Sequence, residues 1–220
     1  MLITTQAPQA PPIAIDIRSA RMDDIYPILR LHRDAFSDKF GAAFGADGTA
    51  RGVEAMAEAW RRQGITALRG MTVAVADGQI IGTISLRTAE MGSDTSGAAE
   101  IAFHQVLGAW GAIRSIFALS LLDHQIERGE GYITDVAVLP LYRRRGVAHA
   151  LLARAEEDAR LRNKRFLGLY VSAANQAARR LYASTGFVEH RVRRSMLAAW
   201  VLRQHKWVYM RKNLAPAPPA

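Results

Sequence analysis

The chain contains no cysteine. That excludes disulfide stapling, a thiolate zinc site and chemistry through a cysteine nucleophile, and it fits a reducing cytoplasm. No basic segment followed by an apolar core opens the sequence, which begins MLITTQAPQAPPIAI, so no secretory signal is expected. Long hydrophobic runs are also missing. A transmembrane helix needs ~20 uninterrupted apolar residues, and the longest apolar stretch, 98–124, is interrupted by His104, Gln105, Arg114 and Asp123. Neither a Walker loop, with its Lys-Ser/Thr end, nor a G-x-G-x-x-G turn is present, and no metal site is expected.

What is present is enough for one well-buried domain. The 220 residues show no break in composition, so a single domain is expected over 13–214, between Ala- and Pro-rich tails at 1–12 and 215–220 that read as disordered. The formal net charge is +9. Its arginines are spread among helices that also carry Glu and Asp, among 191–194 and around one loop, rather than along an aromatic-interleaved patch. A solvated basic surface and an anionic ligand explain this better than nucleic acid.

The chain is organised around 133–159. Ile133-Thr-Asp-Val-Ala-Val138 is apolar and β-branched enough for a strand buried on both faces. A turn containing Pro140 then leads into Arg143-Arg-Arg-Gly-Val-Ala148, and Leu151, Leu152, Ala155 and Ala159 recur at helical spacing. A helix N-terminus presents unpaired N–H groups and a partial positive charge, which suit a phosphate. Gly146 lets the main chain approach a bulky pyrophosphate or adopt a positive φ, and Ala148 is small.

Arg143-x-x-Gly146-x-Ala148 after a hydrophobic strand resembles the Q/R-x-x-G-x-G/A signature of the GNAT superfamily of acetyl-CoA-dependent N-acyltransferases. A second block adds specificity. Phe166-Leu-Gly-Leu-Tyr-Val-Ser172 reads as a strand, followed by Asn175, a helix reaching Tyr182, and Gly186-Phe187. The resemblance is strong over 133–190 and extends over 13–214. It implies an α/β (α+β) fold: a single domain with a mixed, mostly antiparallel sheet, splayed at its central strand and flanked by helices. It also implies acetyl-CoA as acyl donor. Main-chain groups of Val136, Ala137 and Val138 would pair with the pantetheine arm. Arg143, Arg144, Arg145, Gly146, Val147 and Ala148 would hold the pyrophosphate, and Asn175 and Tyr182 would line the later part of the arm.

In chain order, Ile13–Arg18 alternates as a first strand, and Asp23 or Asp24 can cap a helix carrying Ile25, Ile28, Leu29, His32 and Phe36. Gly41–Gly52, with four glycines, should break it before a second helix, Val53–Arg62. The resemblance makes Asp34, Phe36, Asp38 and Phe40 candidates to border an acceptor, against a plainer reading as core aromatics and surface carboxylates. Met71–Ala76 and Gln79–Thr88 form a hairpin around Asp77-Gly78. Within 98–128 a helical insert is expected, broken near Gly108–Gly111, serving as a lid, a homodimer surface or a membrane-surface helix. Its polar face is not Lys/Arg-rich, which favours lid or dimer. A strand over Phe187–Arg194, a helix over Ser195–Gln204 that places Trp200 near the acceptor, and a last strand at Lys206–Lys212 complete the chain.

Acetyl transfer to an amine needs a placed thioester, a neutral amine and a proton for the departing thiolate. A lysine amine of pKa ~10.4 needs ~4.6 kcal/mol to be neutral at pH 7, and an α-amino group only ~1. The resemblance offers Glu130 as the base, with Asp135 second; Glu130 reads equally as part of an exposed turn and Asp135 as a backbone partner. Tyr182 matches the donor to the sulfur, and reads otherwise as a helix Tyr packed on the sheet. The expected activity is direct transfer to an unidentified amine acceptor in a ternary complex. A non-catalytic acyl-CoA sensor and an interaction protein of membranes or nucleic acid are the rivals.

Overall fold

The computed structural model describes residues 14–45, 48–92, 97–120, 124–194 and 206–214, the side chains of 119 and 120 excepted. Its strands are β1 (Asp16–Ser19), β2 (Met71–Ala76), β3 (Gln79–Arg87), β4 (Glu130–Val138), β5 (Phe166–Ser172), β6 (Val188–Arg194) and β7 (Lys206–Asn213). The helices among the described residues are α1 (Ile25–Ala35), α2 (Ser37–Phe44), α3 (Thr49–Gln63), α4 (Ala98–Ser120), α5 (Val147–Leu161) and α6 (Gln176–Ser184). The strands form one sheet in the order β1-β2-β3-β4-β5-β7-β6. Only β4 and β5 are parallel, so the sheet is mixed and mostly antiparallel, as expected.

Alternation along the strands divides the core in two. One face, with Ile81, Ile84, Leu86, Ile133, Leu167 and Leu169, packs on Leu151, Leu152, Ala155 and Ala159 of α5 and on α6. On the other, Met71 and Val73 meet the apolar sides of α1 to α4. The β2–β3 hairpin turns at Asp77 and Gly78, whose φ values of 50° and 75° are those of a type I′ turn.

Several boundaries differ from expectation. The first strand is Asp16–Ser19, not Ile13–Arg18. Asp24 stands at the N-cap of α1, but its side chain makes no capping bond to the helix; its carboxylate accepts from Arg21 N (2.7 Å) and pairs with Arg18 (2.6 Å), closing a short 3-10 turn ahead of it. Gly41–Gly52 is not a simple break, because α2 occupies its first part and α3 starts at Thr49 rather than Val53. Phe40, Ala43 and Phe44 bury enough apolar surface there to hold a turn of helix that glycine spacing alone disfavours. The central strand starts at Glu130, not Ile133, and is fully buried only as far as Ile133. The insert is helical and is broken at Gly108 (φ 73°, ψ 174°). Ala102, Phe103, Ala112 and Ala118 bury one side of it against α2 and α3, while Trp110 stays 86% exposed. Among the described residues no helix is long and apolar enough to cross a membrane. The expected helix over Ser195–Gln204, with Trp200, and the two tails lie outside the described residues.

Candidate active site

The site begins where β4 and β5 part. They pair from Glu130↔Phe166 to Ile133↔Leu169 and no further. The cause is local. The β3–β4 register shifts between Thr83 and Ser85, and Asp135 takes φ 54°. An extra residue on one strand bends it away from its neighbour. A non-glycine residue held there costs ~1–3 kcal/mol unless its surroundings fix it. They do: Thr83 Oγ1 donates to Asp135 O (3.0 Å) and, its hydrogen thus used, accepts from His32 Nε2 (2.9 Å). Burial pushes the His32 pKa down, opposed by the charge of Asp135, so the ring stays neutral and keeps that role. Among the described residues no strand occupies the β5 side of 134–138, which includes Val136, Ala137 and Val138. Asp135 itself accepts from Thr134 Oγ1 (2.9 Å).

That open edge leads into the anion cradle. After the turn Pro140–Tyr142, Gly146 at φ 81° forms the N-cap of α5, and the first helical bond runs from Ala150 N to Gly146 O (3.0 Å). The amides of Val147, Ala148 and His149 are therefore not used within the helix. Arg144 also has a positive φ, 62°. Arg143, Arg144 and Arg145 are exposed; Arg143 Nε donates to Val138 O (3.2 Å), tying the loop to the strand end, and Arg145 lies over the Tyr142 ring. A multiply charged phosphate with an extended polar arm fits an open strand edge that ends in free amides.

On the same side, Asn175 caps α6 by accepting from Ala178 N (3.0 Å), which leaves its Nδ2 to donate to a ligand. Tyr182 packs in the cluster with Leu169, Val171 and Phe187, with Val136 and Val138 at its margin. Among the described residues its hydroxyl has no hydrogen-bond partner, and burial pushes its pKa up to about 12. It stays protonated at neutral pH.

The other face of the fork holds residues that sequence reasoning missed. Glu130 is 0% exposed, so the exposed-turn alternative is wrong. Its carboxylate accepts from Tyr209 Oη (2.6 Å), His124 Nε2 (3.0 and 3.1 Å) and Glu127 N (3.1 Å). Burial would push this carboxyl up, but the three donors together outweigh it and hold the pKa below the usual carboxylate range. Because the anion only accepts, Nε2 of His124 carries hydrogen, and in the neutral ring Nδ1 is left as a base. Tyr132, Tyr170 and Tyr209 surround that ring at 4.4, 5.5 and 5.6 Å. Burial raises the Tyr132 and Tyr209 pKa values, and the bond to Glu130 raises the latter further.

A cavity of about 780 Å³ opens here, lined by His124, Glu127, Arg128, Tyr170, Arg191 and Arg193 among others. Tyr170 is the first β5 residue beyond the last β4–β5 pair, so the cavity borders the fork. Of the other candidates, Phe40 is core, Phe36 packs on His32 (5.5 Å) and Asp34 pairs with Arg33 (2.7 Å); none of these, nor Asp38, is among the described lining residues.

Gly168 makes this arrangement possible. A Cβ there would lie 2.2 Å from both Glu130 Oε1 and Tyr209 Oη. Gly168→Ala should therefore break their hydrogen bond and destabilise the fold by ~2–4 kcal/mol, through overpacking and a disrupted buried anion. Denaturant unfolding checks this; a loss below ~0.5 kcal/mol would contradict the geometry.

The described residues thus place a parallel fork in a mostly antiparallel sheet, a strand–loop–helix turn on one side of it and a polar cavity on the other. The sequence model of the "Acetyltransferase (GNAT) family" matches residues 33–187. The chain belongs to that family. A Bacillus subtilis (strain 168) relative described as the uncharacterized N-acetyltransferase YycN is 43% identical over 60 residues, 27% of this chain and 38% of the relative. Among solved structures, one titled only as an acetyltransferase superposes with TM-score 0.65 at 24% identity, covering 90% of this chain and 99% of that one. The PaiA N-acetyltransferase of Thermoplasma acidophilum, in complex with coenzyme A, gives 0.58 at 14% identity over 92% and 100%. At these identities the structures show a shared fold.

Proposed function

We propose that the protein transfers an acetyl group from acetyl-CoA to a primary amine by direct attack, both substrates being held at the fork of β4 and β5. The observation that carries this reading is the β5-side edge of 134–138, unpaired among the described residues, running into the amides at the start of α5 that the helix itself does not use. Bound acetyl-CoA supplies the activated thioester. The main chain of Val136 to Val138 aligns the pantetheine arm, the amides of Arg144 to Ala148 hold the pyrophosphate, and Asn175 Nδ2 steadies the arm. Such placement accounts for ~7–11 kcal/mol of a barrier.

The acceptor enters from the cavity. Nδ1 of His124 takes a proton from the ammonium, and the Glu130 carboxylate stabilises the resulting imidazolium through Nε2. Glu130 thus acts through His124, while Asp135 shapes the bulge. Both are proposals that follow from the hydrogen bonds. Tyr182 donates its hydroxyl to the sulfur as the thiolate departs. At about 12 its pKa lies above that of a thiol at ~8.5, so the donation serves the developing charge as the C–S bond breaks rather than protonating the sulfur beforehand.

The test is amine-dependent release of free thiol from acetyl-CoA, with the product amine gaining one acetyl mass. Binding of acetyl-CoA without release on any amine would favour a sensing module instead. Tyr182→Phe should lower kcat roughly tenfold to a hundredfold with little change in acetyl-CoA affinity; wild-type turnover in that variant would remove Tyr182 from the reaction.

A further inference from the structure

We propose that the acceptor is a primary amine that also carries a carboxylate, which the arginines of β6 recognise; this rests on the acetyl-transfer reading of the site. The cavity has two electrostatic poles. At one stand Glu130, His124 and Glu127, joined by hydrogen bonds and suited to receive an ammonium and its proton. At the other stands Arg191, and Arg128 and Arg193 also line the cavity, so the named lining brings three guanidinium groups and one carboxylate, that of Glu127.

The two poles lie one ring apart. Arg191 sits over the Tyr209 ring at 4.9 Å from its centroid, and the hydroxyl of that same ring donates to Glu130 (2.6 Å). Arg193 lines the same cavity as Arg191, and its charge opposes the rise in the Tyr132 pKa. Among the described residues β6 is the edge strand of the sheet, and it is exposed along its whole length. Guanidinium groups bind carboxylates through paired N–H donors. An amine with a carboxylate a few atoms away matches this dipole. A polyamine would set its remaining ammonium groups against three guanidiniums, an arrangement that selects against it. A free amino acid and an acidic peptide offer the same chemistry.

The experiment compares kcat/KM in the thiol-release assay for matched acceptors: lysine against cadaverine, phenylalanine against phenethylamine, and a peptide with two Glu after its N-terminal Ala against one with two Gln. In the pairs that turn over, the carboxylate-bearing member should be preferred roughly tenfold or more, mainly through KM, and the preference should shrink with added salt. Preference confined to the amino acids identifies a small-molecule acceptor, and preference for the Glu peptide a protein terminus. Arg191→Met with Arg193→Met should bring each pair close to parity. Lysine at both positions should keep the sign of the preference, and Arg193→Glu should shift it toward cadaverine. Equal rates within every pair, or a preference for the diamines, overturns this acceptor class while leaving acetyl transfer standing. No thiol release with any amine overturns both readings together.

Discussion

Gly146→Glu should abolish acetyl-CoA binding in a protein that still folds. Gly146 sits at φ 81°, a conformation that costs an L-residue ~1–2 kcal/mol, and nothing lies within 4 Å of the place its Cβ would take. The Cβ therefore meets no protein atom, and the fold loses little beyond that strain. The ligand meets far more. A carboxylate would stand beside the unpaired amides of Val147 to His149, where the account places a pyrophosphate, competing for those donors and repelling its charge. A loss of at least a hundredfold in affinity is expected by calorimetry, with far-UV circular dichroism unchanged. Gly146→Ala, which adds only the backbone strain, should lose much less. Wild-type affinity in the Glu variant would separate the start of α5 from the cofactor.

His124→Ala should lower kcat/KM by ~10²–10⁴, the usual scale for a positioned general base. Glu130→Gln keeps the shape but removes the charge paired with Nε2 of His124, so its rate should fall as well. The same substitution should reduce stability. Because the folded pKa of Glu130 is depressed, its stabilisation is present above the unfolded value of ~4.3 and is lost as pH falls through the folded value. A role confined to structure would lower stability and leave kcat/KM in place. Wild-type kcat/KM in both variants would remove the His124–Glu130 pair from the proton transfer.

The hairpin at Asp77-Gly78 and the strand–loop–helix at the start of α5 were legible because each depends on residues close in sequence. Gly146 has the positive φ that its lack of a Cβ allows. The fork was expected only through resemblance, since its physical cause is a bulge held from α1, and no spacing links His32 to Thr83 and Asp135. Glu130 was singled out from the sequence, but its burial was not legible there. A carboxylate before a strand reads as a turn until Tyr209, distant in the chain, is seen to donate to it. His124 escaped for a related reason. It ends an apolar insert in which a lone histidine carries no local signal, and its meaning comes from three tyrosines on three separate strands.

In the proposed complex the β5-side edge of β4 and the first amides of α5 together receive acetyl-CoA. Amide hydrogen exchange with and without saturating acetyl-CoA tests this most directly. Protection should rise in two separate segments, 134–138 and 144–149, with smaller changes along the rest of the sheet. Exchange in both segments left unchanged by acetyl-CoA would contradict the account.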